Sequence, residues 1–577
     1  MEPARSTQGR ECPGEARWYV AVGLAAVLGL GLMVDELLQS SATYDEVAYL
    51  RVAAEWWRSG DQETITRMGS PLTFWKIQQV PVLWALDRAG FRGVVDDPIS
   101  NQRVLLPLVR LWSLGIWLAA FLLTATWSRL LYGPRAMALA AALFCLSPNL
   151  LAHGSLVTME LPLLACTTGI FLLFWRFLQT SDERLFWAAA ALGGLAWSCK
   201  FTTALVPPIL ALVWWIDRWR AGERGILRLT AAVTLEMLGF FFVMAMANFL
   251  VTGFALVPMS EQVGWHPIVE ARLEPRLGQL VSQVIEWPFP QDWVAFATQV
   301  RHQRSGGPSY LFGERRMTGW WYYYFVALAV KVPLTFWVLL VGRGWLRRRV
   351  ASAGRDWVLP SIMLIFLAAT SLGSQRNYGI RYLLPLAPLA IVWVSALAEG
   401  GKWARTLACV GVVGQALAVA AIHPHELSYF NVLAGGPVGG RRILADSNLD
   451  WGQGAKALAR LQCERPEFRD LTLYYFGDTD PGNYGVVGRR YFIDAGAWHP
   501  MLPPVFTAQT KYVAVSASLQ WGPWGPPRYF QGLDRIAPYV FTSDKTIAIY
   551  RVDDIPWTQR EDRQNVPLAE RRDATSR

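Results

Sequence analysis

The sequence predicts a polytopic α-helical membrane protein, with about eleven spans, carrying a small C-terminal α/β domain. Three observations predict it. The 577 residues are 53% hydrophobic and only 17% charged, and the mean hydropathy is +0.24, which no single soluble core accommodates. The apolar residues are gathered into runs of membrane-crossing length up to Ile422. After Ile422 the runs stop, and shorter alternating patterns separated by polar loops take over.

The apolar runs fall at 18–38, 104–126, 135–152, 156–177, 185–199, 201–216, 226–251, 320–341, 357–373, 380–398 and 403–422. The fifth and sixth are short enough to be tilted or re-entrant. Residues 71–86 have the amphipathic pattern of an interfacial helix. With the N-terminus inside, the inner loops carry Arg218, Arg220, Arg224 and Arg228, then Arg343, Arg347, Arg348, Arg349 and Arg355, then Lys402 and Arg405. The positive-inside rule favours that orientation, and eleven spans put residues 39–50, the loop 252–319 and the C-terminal region on the outer face of the cell membrane. The formal charge of +10 comes largely from the inner loops. It therefore reports topology, and no nucleic-acid module is visible. The first run lacks an A-x-A cleavage site and reads as a retained anchor. The six cysteines show no paired spacing, which argues against a disulfide framework.

Residues 1–422 are thus read as the membrane domain, 423–558 as an extracytoplasmic α/β domain, and the charged residues 559–577 as a disordered tail. In the second region 442–445, 471–476, 511–516 and 546–551 read as strands and 454–461 as a helix.

The candidate chemistry sits at the outer ends of the runs. Asp45 and Glu46 follow the first run directly. If a helix starts at Thr43, Glu46 completes a capping box while Asp45 lies in the positive first turn, where a base for a lipid-borne substrate belongs. Two ordinary first-turn acids are the bland alternative. Glu160 is a carboxylate about one turn inside the fourth run. Such a group is functional by default, with a salt bridge to a helix-end arginine as the alternative. Lys200 at the next outer turn is either part of the same site or snorkels. Arg376 and Arg381 carry the planar fork that suits a phosphate, or anchor lipid headgroups. Lys331 and Glu236 lie inside runs and are candidates to pair with each other. In the C-terminal region Asp450 reads as a helix N-cap, and Trp451, Trp521 and Trp524 offer faces for a sugar. His423, His425 and Glu426 look ligand-like but lack a distant fourth ligand.

Taken in order, these residues resemble a known family, the C superfamily of membrane glycosyltransferases (GT-C), and within it the bacterial relatives of dolichyl-phosphate-mannose protein mannosyltransferases. The resemblance runs through Tyr44-Asp45-Glu46, the segment 147–154 with 156–158, Lys200-Phe201-Thr202, 310–314, 319–323, 377–385, 428–431 and 446–453. Each motif is weak alone; their order is specific.

The resemblance implies transfer of a sugar from a polyprenyl-phosphate carrier to a protein, lipid or glycan acceptor on the outer face. Asp45 would then be the general base, with Glu46 and Glu160 the other catalytic candidates. Lys200, Arg376 and Arg381 would lie on the donor-phosphate side, and His153, Glu314, Asp446, Asn448, Asp450 and Trp451 on the acceptor or sugar side. Where the family usually has Asp this chain has Glu160, one methylene longer. No cofactor is certain. Hard cations accept carboxylate oxygens, so a divalent cation between Asp45 and Glu160 is left open. Membrane lipids are expected partners and nucleic acid is not. A flippase or transporter of lipid-linked sugars, and a membrane-anchored sugar-binding module, are the readings from other classes.

Overall fold

The computed structural model describes residues 15–60, 78–261, 274–346, 354–494, 497–498, 510–524, 530 and 532–555. The tail 559–577 and most of the expected interfacial helix lie outside these residues; of the latter only Val80–Arg88 is a described helix.

The membrane domain is a bundle whose helices run back and forth between two ends. Its elements are α1 (Ala16–Gln39), α2 (Tyr44–Ser59), α3 (Gln102–Tyr132), α4 (Pro134–Cys145), α5 (Pro148–Gly154), α6 (Glu160–Thr180), α7 (Glu183–Trp197), α8 (Val206–Arg220) and α9 (Ile226–Val251). They continue with α10 (Gln291–Ser305), α11 (Tyr323–Lys331), α12 (Leu334–Trp345), α13 (Val358–Gly373), α14 (Leu386–Ser395) and α15 (Lys402–Ala420). Five of these are long and apolar enough to cross a membrane, or seven if two bent pairs each count as one span. The expected eleven is therefore not reached on length. Helices α7 and α8 have 15 residues each, about 22 Å at 1.5 Å per residue against a hydrocarbon core of about 30 Å.

Both bends follow from proline. Helices α4 and α5 meet at 64° and α11 and α12 at 106°, the first bend before Pro148 and the second before Pro333. A residue preceding proline is driven out of the helical region, and Val332 is extended, with φ −97° and ψ 133°. Close packing of α7 on α9 requires Gly194, where a Cβ would lie 2.5 Å from the Met244 carbonyl oxygen.

One end of the bundle is tied by ion pairs between helices and their flanks: Arg343 to Asp356 at 2.9 Å, Arg355 to Asp217 at 2.7 Å and Arg218 to Glu236 at 3.1 Å. Glu236 therefore does not pair with Lys331. That lysine is buried at the other end, where its Nζ donates to the carbonyls of Leu427 at 3.0 Å and Asn448 at 2.6 Å. Its Nζ also lies over the Phe430 ring, 4.7 Å from the centroid.

The C-terminal region packs on this second end. Its five-stranded sheet has the order β4-β5-β3-β1-β2, where β1 is Leu471–Tyr474, β2 Arg489–Tyr491, β3 Tyr512–Ser516, β4 Val540–Phe541 and β5 Ile547–Arg551. Strand β1 is parallel to β2 and β3, while β5 is antiparallel to β3 and β4. The mixed sheet and the helix α16 (Ala455–Glu464) fit the α/β reading. The expected strand at 442–445 is instead a turn and coil following Gly439-Gly440; Ile443 and Leu444 both return their N–H groups to the Gly440 carbonyl, which uses the donors a ladder would need.

Candidate active site

The loop between α1 and α2 builds the site. Ser40 turns extended at the end of α1, and Thr43 caps α2 in a capping box with Glu46. The Thr43 N–H donates to Glu46 Oε2 at 2.9 Å. Glu46 then turns inward to Arg110 of α3, whose Nη2 lies 2.6 Å from Oε2 and whose Nε donates to Oε1 at 2.9 Å. The Val157 N–H donates to Oε1 as well, at 2.9 Å. Burial would raise this carboxyl, but the Arg110 charge and these hydrogen bonds together hold it below its ordinary value. Arg110 spends its other donors on the carbonyls of Leu37, Ser40 and Ser41. Glu46 is thus a buried rivet that joins α1, α2 and α3. It does not line the cavity next door, and its place among the catalytic candidates is corrected.

Asp45, one residue earlier, points the other way. It lines a cavity of about 480 Å³ together with Glu160, Lys200 and Arg381. Arg381 Nη1 donates to Asp45 Oδ2 at 2.9 Å and lies 3.6 Å from Glu160 Oε1. Lys200 Nζ donates to the same Glu160 oxygen at 2.6 Å and sits 4.0 Å from the centre of the Tyr382 ring. Glu160 starts α6 and is 2% exposed. It gathers the two cations from beneath, as the salt-bridge alternative foresaw, with a lysine added. Three cationic side chains (Lys200, Arg304, Arg381) and two carboxylates (Asp45, Glu160) line the cavity, leaving one positive charge in excess.

The cluster depends on the C-terminal region. Gly379 reaches φ 106°, where a Cβ would meet Ser447 Oγ at 2.5 Å. The Ser447 hydroxyl donates to the Tyr378 carbonyl, and Asn448 Oδ1 accepts the Ile380 N–H at 3.0 Å. These contacts seat the short helix Ile380–Leu383 and with it Arg381, whose guanidinium lies 4.2 Å from the centre of the Trp451 ring. Asp446 adopts φ 58° and its Oδ1 accepts the Trp524 indole N–H at 2.8 Å; burial raises its carboxyl despite nearby Arg381.

The remaining expected site residues divide. Arg376 does not line the cavity; its Nε donates to the Tyr378 hydroxyl at 2.9 Å. Glu314 is exposed and pairs with Arg316 at 2.7 Å. His153 is buried behind the cluster, its ring 6.2 Å from Trp451. Trp451 is 2% exposed, so no sugar can stack on it. Asp450 caps no helix; it accepts the N–H groups of Ser518 at 2.8 Å and Gly452 at 3.1 Å, and burial pushes its carboxyl up to about 7. His423 bridges Glu426 at 2.6 Å and Asp35 at 3.1 Å.

A divalent cation does not fit between Asp45 and Glu160. Arg381 already occupies the space between them, and among the described residues no group of three or more His, Cys, Asp or Glu could hold a metal.

Arg110, Gln299, Gln303 and the cavity-lining Arg304 escaped the sequence reading. Arg110 carried a signal, being a charge inside an apolar run. Gln299 and Gln303, which also line the cavity, carried only helical spacing.

No family model matches this chain, and no curated protein sequence matches it. Among solved structures, ArnT from Cupriavidus metallidurans bound to undecaprenyl phosphate is similar at 12% identity over 92% of this chain and 98% of that one, with a TM-score of 0.47. The arabinosyltransferase EmbB from Mycobacterium smegmatis is 14% identical over 69% of this chain and 32% of its own, with a TM-score of 0.36. The Archaeoglobus fulgidus oligosaccharyltransferase tethered with an acceptor peptide is 12% identical over 88% of this chain and 70% of its own, with a TM-score of 0.39. These are likenesses of chain path, and the chemistry below rests on this chain's own residues.

Proposed function

We propose that this chain is an integral-membrane glycosyltransferase of the GT-C type, moving a sugar from a polyprenyl-phosphate carrier to an acceptor hydroxyl on the outer face of the cell membrane. The observation that carries the reading is the juxtaposition in one cavity of a partly exposed carboxylate, Asp45, with two cations, Lys200 and Arg381, that a single buried carboxylate holds together. The cavity's excess positive charge matches a phosphodiester.

In the reaction Asp45 Oδ1, which takes no hydrogen bond from a described residue, accepts the proton of the acceptor hydroxyl. The acceptor oxygen forms a bond to the anomeric carbon. The bond from that carbon to the phosphate oxygen breaks, and its electron pair leaves with the phosphate. Lys200 and Arg381 meet the charge that develops there. Glu160 is a positioning residue, because its oxygen fixes the separation of the two cations. The N-terminus is assigned to the cytoplasmic side and residues 423–558 to the outer side.

The test is turnover. Purified protein in nanodiscs, given a panel of C55-polyprenyl-phosphate sugars and acceptor glycans, lipids and peptides, releases free polyprenyl phosphate. A carrier that stays intact with every acceptor while crossing the bilayer overturns the transferase reading in favour of a flippase.

A further inference from the structure

One wall of the cavity carries none of Asp45, Glu160, Lys200 and Arg381. It is formed by α10, in the loop expected to lie outside the membrane. Phe296, Gln299, Val300, Gln303 and Arg304 line the cavity, the spacing of one helical face. Gln299 and Gln303 stand one turn apart on that face. The Oε1 atoms of both are shielded from solvent and accept no hydrogen bond from any described residue. A shielded acceptor left unpaired is costly, and these two face the cavity that holds the charged cluster.

The helix that presents them is held firmly. Asp292 near its start accepts the Ser198 hydroxyl at 3.0 Å and the Asn248 amide at 2.8 Å. Trp293 stacks on Trp197 with centroids 4.8 Å apart, and Phe296 packs on Trp197 at 4.8 Å and on Phe201 at 5.6 Å. Lys200 lies between the two residues gripped here, Trp197 and Phe201, so the amide wall and the cation share one frame. A wall built this way has a fixed spacing, which is what discrimination between similar ligands requires.

We propose that Gln299 and Gln303 are the specificity-determining wall of the cavity and hydrogen-bond two hydroxyls of the neutral glycosyl group carried on the phosphate. The inference rests on the glycosyltransferase reading for the identity of the carrier. An unpaired acceptor oxygen needs a donor, and the donors an unsubstituted sugar brings are hydroxyls, whereas an ammonium would meet Arg304 on the same helical face. Hydroxyls remain, and because a hydroxyl both donates and accepts, either orientation of the amide suits it.

The experiment measures binding rather than turnover. The full chain in nanodiscs is titrated with C55-polyprenyl phosphate and with its glucosyl, mannosyl, galactosyl and arabinosyl esters. Wild type prefers one ester over the others by about tenfold or more. Gln299→Met and Gln303→Met, which keep shape and lose the amide, each weaken that ester about tenfold and leave the unmodified carrier unchanged. Gln299→Asn and Gln303→Asn, shorter by one methylene, fall between and decide the matter if a Met variant loses cooperative unfolding.

Equal losses on ester and bare carrier, no loss on either, or a wild type indifferent to the sugar each overturns the proposal. Failure of the parent reading looks different. A protein that tells the esters apart but never releases the carrier phosphate refutes transfer and keeps the wall. A protein that transfers sugar with Met variants unaffected keeps transfer and removes the wall.

Discussion

Asp45 and Glu46 are neighbours in sequence, and each meets an arginine, yet the two ion pairs are built on opposite terms. Glu46 and Arg110 are 1% exposed each, and both are saturated: the guanidinium donates to three backbone carbonyls and to both carboxylate oxygens. Asp45 and Arg381 meet at the edge of a cavity through one hydrogen bond of 2.9 Å. Arg381 gives its Nε to the Tyr378 carbonyl at 3.1 Å and shares the rest of its charge with Glu160. A saturated pair has nothing left to offer a ligand, so its role is to hold three helices. The pair at the cavity leaves one carboxylate oxygen that takes no hydrogen bond from a described residue, the condition the proposed base requires.

The strongest way to break that contrast is to exchange the two acids' fates. Asp45→Asn removes the acceptor for the proton and lowers transfer by about 10² to 10⁴, while the thermal midpoint and membrane insertion stay near wild type. Near-normal transfer in this variant removes Asp45 as the base.

Glu46→Gln has the reverse signature. The sequence alone suggests a mild change, since Gln still completes a capping box, but the structure adds Arg110, which would be left as a buried charge without its counter-ion. Breaking such a pair costs about 3–5 kcal/mol, so the yield of folded protein and its thermal midpoint fall sharply. The rate per folded molecule changes far less. Full stability in Glu46→Gln would mean that the pair is not a rivet.

Arg381 is the sharper, smaller test. Losing one charge-assisted contact to phosphate costs about 1.5–3 kcal/mol, so Arg381→Ala lowers donor-dependent single-turnover rate by about tenfold or more. Arg381→Lys keeps charge, loses the fork and falls between. Arg376→Ala, outside the cavity, leaves donor dependence near wild type. An equal loss from Arg376→Ala would show that the phosphate extends beyond the described cluster.

How much of this could be read from the chain depended on the range of the rule involved. The capping box at Thr43 was legible because it is a local pattern of four residues. That Asp45, Glu160, Lys200 and Arg381 share one end of the bundle was legible from alternation of apolar runs. Their contacts were not, because which loops meet across a bundle is set by packing between distant helices. Arg376 shows the limit: it lies five residues before Arg381 on a stretch with no helical repeat, where nothing in the sequence tells which way a side chain turns. The apolar stretch Ile443–Ala445 resembles a strand in sequence, but burial of Leu444 and Ala445 does not imply a partner strand. The eleven runs were counted by composition, whereas α7 and α8 are too short to cross by themselves.

The smallest effect concerns another buried carboxylate, Asp450, which pairs with no cation among the described residues. It is 1% exposed, and among those residues two backbone N–H groups donate to it. If a counter-charge is what separates an ionised buried acid from a neutral one, Asp450 must behave unlike Glu46, and burial does push its carboxyl up to about 7 from the ordinary aspartate value of 3.8. The sign then follows from linkage. Between those two values the native state binds the proton more tightly than the unfolded chain, so stability falls as pH rises through this window and stops falling above about 7. The expected result is a thermal midpoint that declines between roughly pH 4 and pH 7 more steeply in wild type than in Asp450→Asn, whose amide carries no titrating proton and still accepts one of the two N–H groups. The difference between the two slopes is the measurement, since every other titrating group is common to both. Parallel slopes would show that two N–H groups stabilise a buried carboxylate as well as an arginine does, and the distinction drawn between the Glu46 and Asp450 environments would fail.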